Sequence, residues 1–248
     1  METKYIRREL SAVIEEAYRY FSVITVTGPR QSGKTTLIRN LFPHLPYYSL
    51  ENLDVRSFAE NDPVAFLNQH TEGMILDEVH NAPNLLSYIQ GMVDADADRR
   101  FILSGSSQFA MLKKVTQSLA GRTAVFELLP MSYSEIREIA ADTPLDHLLF
   151  NGFYPAIYSG RNVPKFLYPA YMKTYLDKDV RDLLQIKDMM QFHTFIRLCA
   201  GRIGSLFKAS ELANEIGISS HTVTAWLYCR HPISWPYCHH ISKIRANG

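Results

Sequence analysis

The sequence predicts an α/β fold: a parallel sheet of five strands with helices on both faces, followed by an all-helical part. Three observations predict it. Short apolar or β-branched runs at 22–27, 47–50, 73–78, 100–107 and 123–129 alternate with helix-compatible stretches, as strands joined by crossover helices do. The first run leads directly into Gly28-Pro-Arg-Gln-Ser-Gly33-Lys34-Thr35, and Thr36-Leu37-Ile38-Arg39 continues as a helix. From about residue 145 the strand pattern stops, and only Tyr-, Leu- and Phe-rich helical text remains.

The octet 28–35 fits G-x-x-x-x-G-K-[ST], and it stands in the strand–loop–helix setting that a phosphate-binding loop requires. Its glycines let the backbone curl so that successive N–H groups face phosphate oxygens, and the new helix aims its positive end at the same place. The phosphate cradle is therefore Gly28, Pro29, Arg30, Gln31, Ser32, Gly33, Lys34, Thr35 and Thr36. Lys34 is placed for the β- and γ-phosphates and Thr35 for Mg²⁺. The fold class sharpens to a P-loop NTPase.

Composition sets wider bounds. In 248 residues, 46% are hydrophobic and 21% charged, enough for a full core in one large or two modest domains. Lys and Arg total 26 against 25 Asp and Glu, so no global field favours nucleic acid or a membrane surface. The three cysteines lack metal-ligand spacing and suit a reducing compartment. Charges at the N-terminus occupy the place of a signal peptide's apolar core, and no run approaches the roughly 20 apolar residues of a membrane span. The expectation is a cytoplasmic protein.

In chain order, residues 6–21 place Leu10, Val13, Ile14, Ala17, Tyr18 and Phe21 on one helical stripe, with Arg7, Arg8, Glu15 and Glu16 off it. Asn61-Asp62-Pro63 opens a helix that turns Phe66 and Leu67 inward. Gly73-Met-Ile-Leu-Asp77-Glu78 is a strand ending in two acids: Asp77 is placed to hold Mg²⁺, and Glu78 to take a proton from an attacking water. No Asn-Lys-x-Asp base reader appears, so ATP is the expected nucleotide. Residues 83–93 form a helix. The strand at 100–107 ends in hydroxyls, of which Ser104 and Ser106 either sense the γ-phosphate or merely close a turn. Arg122 reads equally as a γ-phosphate contact, in the same or a neighbouring subunit, and as a solvated arginine. Ser132-x-x-Glu135 is a capping box.

In the helical part, 165–185 has the period of one long helix, with Lys178, Asp179, Arg181 and Asp182 on its solvated side, and a second helix covers about 189–200. Ala213, Gly217 and Val223 then have the spacing of a helix-turn-helix. Ser219, Ser220, His221, Thr222 and Thr224 sit at the start or on the exposed side of its second helix. Such a unit over 210–227 contacts DNA or docks a protein, and the absence of Arg and Lys from that helix counts against DNA.

With those residues assembled, the chain resembles the bacterial and archaeal AAA-type ATPases that carry a DUF4143 region. The likeness rests on 28–35, Leu-Asp-Glu-Val (76–79), Phe-Ile-Leu-Ser-Gly-Ser (101–106), Leu-Ala-Gly-Arg (119–122), Glu-Leu-Leu-Pro-Met-Ser (127–132), Tyr-Leu-Asp-Lys-Asp-Val (175–180) and the helix-turn-helix. It implies an AAA+-like sheet whose acid-pair strand is not adjacent to the phosphate-loop strand, then a helical and winged-helix part. Family members continue into a nuclease-like α/β region, for which this sequence has no counterpart. His80 stands where Gln is common, and Asn151-Gly152 where paired glycines are usual.

The expected domains are 1–143 for the ATPase with its leading helix, 144–205 helical, 206–227 the helix-turn-helix and 228–248 a tail. That tail has Pro, His and Cys but no apolar period, where a winged helix needs its hairpin. Its codons, shifted by two bases, permit a strand, a Pro-Pro turn and a basic end. The expectation is a frameshifted tail on a truncated family member. The competing reading is a Cys/His metal site, whose spacing fits no common ligand pattern.

The function expected is Mg²⁺-dependent ATP hydrolysis that drives a conformational change, coupled to a contact with DNA or a protein, and the chain is compatible with a homo-oligomer. The alternative is a nucleotide-gated switch with little or no turnover. A phosphotransferase on the same loop would need an acceptor pocket, of which the sequence gives no sign.

Overall fold

The computed structural model describes residues 5–105, 115, 118–174, 188–202 and 205–228. Five parallel strands form one sheet: β1 (Val23–Thr27), β2 (Tyr47–Ser49), β3 (Gly73–Asp77), β4 (Arg100–Ser104) and β5 (Thr123–Glu127), in the order β2-β3-β4-β1-β5. β4 thus separates the acid-pair strand from the phosphate-loop strand. The register pairs Val26 with Ser104, Leu103 with Leu76 and Ser49 with Asp77. The carboxyl ends of β1, β2, β3 and β4 therefore open on one edge, where ligands of parallel α/β sheets bind.

The central strands are buried on both faces, and their side chains alternate between two cores. Val23, Met74, Leu76, Phe101 and Leu103 pack on one side with Leu50, Phe66, Leu67, Leu85, Leu86 and Ile89. Ile24, Val26, Ile75 and Ile102 pack on the other with Ile14, Leu37, Ile38 and Phe42. The helices follow from this division. α1 (Leu10–Ala17) and α2 (Lys34–Leu41) cover the second face, while α3 (Leu53–Asn61), α4 (Pro63–Leu67) and α5 (Leu85–Ala95) cover the first.

Local chemistry sets the helix limits. The Asp62 carboxylate accepts from Ala65 N at 2.9 Å, with Pro63 at the first helical position of α4. The Ser132–Glu135 capping box is complete and opens the helix Tyr133–Ile139. α3, absent from the sequence reading, is capped by Asn52, whose Oδ1 accepts from Asp54 N and Val55 N. The leading helix is shorter than its period suggests. It spans only Leu10–Ala17, Val13 is 52% exposed, and Arg8 is buried in the segment before it.

By compactness the chain divides into two units: one holds residues up to Thr143 plus Phe153–Ser159, the other Pro144–Gly152 and everything from Gly160. In the second, Phe192, Phe195, Ile196 and Cys199 of the helix Met189–Ala200 meet Leu212, Ala213 and Val223. Trp226 stands edge-on to Phe192 and Phe195 at 5.2 and 5.3 Å. The helices Ala209–Ile216 and Ser220–Tyr228 are joined through Gly217, whose φ of 77° ends the first in a left-handed turn. Ser219 caps the second, its Oγ accepting from Thr222 N at 3.0 Å.

The long helix expected over 165–185 is described only as Pro164–Tyr171, followed by a wider turn at 172–174. Pro169 inside it donates no backbone hydrogen bond. Its charged side at Lys178, Asp179, Arg181 and Asp182 lies outside the described residues, as do Ser106 and all but the first residue of the tail 228–248.

Candidate functional site

The loop after β1 bends through three residues of positive φ: Gly28 at 141°, Gln31 at 62° and Gly33 at 96°. A Cβ on Gly28 would run into the carbonyl of Leu128, so only glycine lets the loop pass β5. The sharp turn is closed by Ser32 N donating to the Pro29 carbonyl at 3.3 Å, and α2 starts at once with Leu37 N on the Gly33 carbonyl at 2.9 Å. Lys34, only 6% exposed, folds back along the loop, and its Nζ donates to the carbonyls of Gly28 and Pro29 at 3.0 and 2.9 Å. Burial pulls the Lys34 ammonium below its ordinary range, and Glu78 and Asp77 oppose that pull.

Asp77 at the end of β3 is the acceptor on which this edge converges. Its Oδ2 accepts from Thr35 Oγ1 at 2.7 Å and from Tyr47 OH at 2.8 Å. Its Oδ1 accepts from Glu78 N at 3.1 Å and from the Ser104 hydroxyl. Ser104 is fully buried at the tip of β4, the strand between the two motif strands. Tyr47, from the neighbouring β2, escaped the sequence reading. Burial first, then the Asp77 carboxylate, push its phenol well above the ordinary tyrosine range, so it is a standing donor. Arg39 lies over its ring at 4.8 Å.

Glu78 takes a left-handed conformation, φ 54° and ψ 46°, rare for a residue with a side chain. That turn breaks the strand and starts the short 3₁₀ segment Val79–Asn81. Glu78 Oε2 lies 3.1 Å from His80 Nδ1, an ion pair whenever the imidazole is protonated.

Arg122 sits elsewhere. It precedes β5, at the amino edge of the sheet, where its carbonyl accepts from Val23 N and its guanidinium grips Asp94 at 2.5 and 2.8 Å. A five-residue parallel strand, about 16 Å long, separates that edge from the phosphate loop. Contact with a γ-phosphate in the same chain is therefore excluded by the direction of β5. Arg30 and Thr36 complete the loop region; Thr36 is exposed in the first turn of α2, and Gln31 is exposed at the bend.

The arrangement fits a nucleotide triphosphate with Mg²⁺. Ser32 Oγ is fully buried in the curl of the loop and has no hydrogen-bond partner among the described residues, so the cradle contains an unanswered donor. The Thr35 hydroxyl and the Asp77 carboxylate form a hard oxygen pair of the kind Mg²⁺ takes from a protein, the rest of its shell being phosphate and water.

Comparison with known proteins agrees with this geometry. Residues 20–137 match the family model AAA_14, an AAA domain. An AAA-type P-loop ATPase domain is thus present. Residues 142–229 match DUF8612, a domain of unknown function, in place of the DUF4143 region that the resemblance implies. Two uncharacterized proteins, Mb2031c of Mycobacterium bovis and Rv2008c of Mycobacterium tuberculosis, are each 29% identical over 230 residues, 89% of this chain. The chain spans about half the length of these curated relatives, 50% of each. Among solved structures, the Walker-type ATPase PABY2304 of Pyrococcus abyssi is 13% identical with a TM-score of 0.46, covering 96% of this chain and 88% of that one. The RuvB Holliday junction branch migration motor of Thermotoga maritima is 17% identical with a TM-score of 0.45, covering 94% and 86%.

Tyr47→Phe tests whether the donors around Asp77 matter. Loss of one hydrogen bond to a charged acceptor at a half-buried site is expected to destabilise the protein by about 1–2 kcal/mol in urea unfolding. An unchanged midpoint would show the Tyr47–Asp77 bond to be dispensable.

Proposed function

We propose that the chain binds ATP with Mg²⁺ at the carboxyl edge of its sheet and hydrolyses it. The observation that carries this reading is the convergence of Thr35, Lys34 and Asp77 on one loop whose buried Ser32 hydroxyl lacks a partner. Lys34 would exchange the carbonyls of Gly28 and Pro29 for the β- and γ-phosphates. Thr35 and Asp77 would hold Mg²⁺, which when bound would supply charge neutralisation to the phosphates. Glu78 accepts the proton of the attacking water while the water oxygen bonds to the γ-phosphorus and ADP leaves. Ser104 acts through Asp77, to which its hydroxyl is bonded, and through any γ-phosphate oxygen placed beside it.

A second reading is a nucleotide-gated switch with little turnover, and one observation favours it. Glu78 lies against His80, and a carboxylate paired with a protonated imidazole is a poor proton acceptor. In either case the work would be coupled to the second unit, where the helices Ala209–Ile216 and Ser220–Tyr228 are read as a helix-turn-helix that contacts DNA or a protein. Any role of Arg122 in hydrolysis would be in a neighbouring copy. The three cysteines and even charge balance support a cytoplasmic setting, and among the described residues no helix is long and apolar enough to cross a membrane. Residues from about 228 are proposed, on composition, to be read in a shifted frame; resequencing the gene through these codons decides it.

The Lys34→Ala protein is expected to lose ATP binding, because the phosphates lose their nearest cation. Glu78→Gln is expected to bind ATP but release phosphate at least about 100-fold more slowly than the parent. Equal loss of binding in both would overturn these roles. A parent chain that binds ATP yet releases no phosphate would establish the switch.

DNA contact through the helix Ser220–Tyr228 is expected to be modest and to weaken steeply with salt, with Thr222 and Thr224 affecting sequence choice more than total binding. Gel retardation at low ionic strength is the check. No salt-sensitive retention would assign the helix pair to protein docking.

A further inference from the structure

The most elaborate buried polar cluster outside the site surrounds Arg8, which is 7% exposed. Its guanidinium makes three directed contacts with three segments. Nε pairs with Glu135 Oε1 at 3.0 Å, Nη2 donates to the Leu129 carbonyl at 2.8 Å, and Nη1 donates to the Ser32 carbonyl of the phosphate loop at 2.9 Å. Glu135 is 4% exposed and fully engaged. Besides Arg8 it accepts from Glu9 N at 2.7 Å and, through Oε2, from Ser132 N at 2.8 Å as the carboxylate of the capping box. Arg8 Nη1 and Pro155 Cγ stand 3.8 and 3.7 Å from where a Cβ on Gly33 would be, so the cluster lies directly against the loop.

We infer that Arg8 is a positioning residue for the phosphate loop, setting the direction of the Gly33 N–H toward a nucleotide phosphate; this rests on the nucleotide reading above. The peptide plane supplies the reason. In the trans Ser32–Gly33 peptide the C=O and N–H are rigidly opposed, so fixing the carbonyl on Arg8 turns the N–H away from Arg8. Gly33 itself does not enforce that direction, since its φ of 96° belongs to a residue free to rotate. Lys34 does not enforce it either, because its bonds go to Gly28 and Pro29. Bracing of the fold alone needs only two of the three contacts: Glu135 and Leu129 already tie Arg8 to the segment after β5. The third contact goes to the loop. Lysine cannot reproduce it together with the others, since three fixed directions need the planar guanidinium.

Two measurements on the full chain test this. In the first, affinity for a non-hydrolysable ATP analogue with Mg²⁺ is compared with the nucleotide-free unfolding midpoint. Folded Arg8→Ala is expected to bind about tenfold more weakly, and Arg8→Lys to recover part of that loss. Unchanged affinity alongside a lowered midpoint would make Arg8 a brace only and overturn the inference. The second needs no variant, so it stands even where Arg8→Ala fails to fold. Because coupling is reciprocal, the analogue is expected to slow backbone hydrogen exchange in residues 5–10 as well as in 28–36. Protection of 28–36 with residues 5–10 unchanged would overturn the inference and leave nucleotide binding standing. No protection in either segment would remove the nucleotide reading itself, and this inference with it.

Discussion

The structure depends on the burial of one carboxylate. Asp77 is 4% exposed, and a charge taken out of water to that extent is tolerated only where donors replace the lost solvent. Those donors come from four places in the chain: Thr35 in α2, Tyr47 in β2, Ser104 in β4 and the next backbone amide, Glu78 N. They meet only if β2 and β4 flank β3 in parallel and in the observed register. A slip of one residue in β4 would turn Ser104 to the other face of the sheet. The bond from Thr35 also ties the phosphate loop to β3 across the intervening strand. Through it the loop can hold Gln31 in a left-handed conformation that costs about 1–2 kcal/mol.

Much of this was legible because the chemistry is local in sequence. A phosphate loop needs glycines, a lysine and a hydroxyl at fixed short spacings, and an acid pair needs only a strand in front of it. The capping residues Asp62 and Ser132 carry their partners within three positions. Tyr47 and Arg8 were illegible for the opposite reason. Their partners lie 30 and 127 residues away, and nothing near them distinguishes a buried polar side chain from a surface one. Arg122 is a different case, since the signal was present. In a parallel sheet a residue that precedes a strand lies at the edge opposite the loop that follows β1, so its place before β5 already kept it from the site in its own chain. The helix α3 was missed because its capping Asn52 stands among charged residues.

The second unit obeys a simpler logic. Its core is aromatic, Trp226 against Phe192 and Phe195, and it buries the small Ala213 and the branched Val223 where two helices cross. The hydroxyls of the helix Ser220–Tyr228 are spent largely on its own backbone and cap: Thr224 donates to the Ser220 carbonyl, and Ser219 and Thr222 are bonded to each other. With no cation on that helix, the phosphate attraction that gives most nucleic-acid contacts their affinity would have to come from other segments. The pattern of a helix-turn-helix is therefore a statement about packing before it is one about DNA.

Lys34 and Arg8, two cations bonded to carbonyls of the loop, differ in what a bound phosphate would do to them. Lys34 is held by carbonyls that a phosphate would outcompete, so its contacts belong to one state of the loop. Arg8 approaches the Ser32 carbonyl while its other nitrogens are already bound to Glu135 and Leu129, and nothing in phosphate binding asks it to leave. A buried ion pair such as Arg8–Glu135 is rarely worth much as stability, since desolvation offsets most of the attraction. What it does supply is a fixed direction: the planar guanidinium, immobilised by Glu135, can point one N–H at one carbonyl. On this view Lys34 is the part of the loop that responds to nucleotide. Arg8, outside the loop, would keep it in the shape to which nucleotide is proposed to bind.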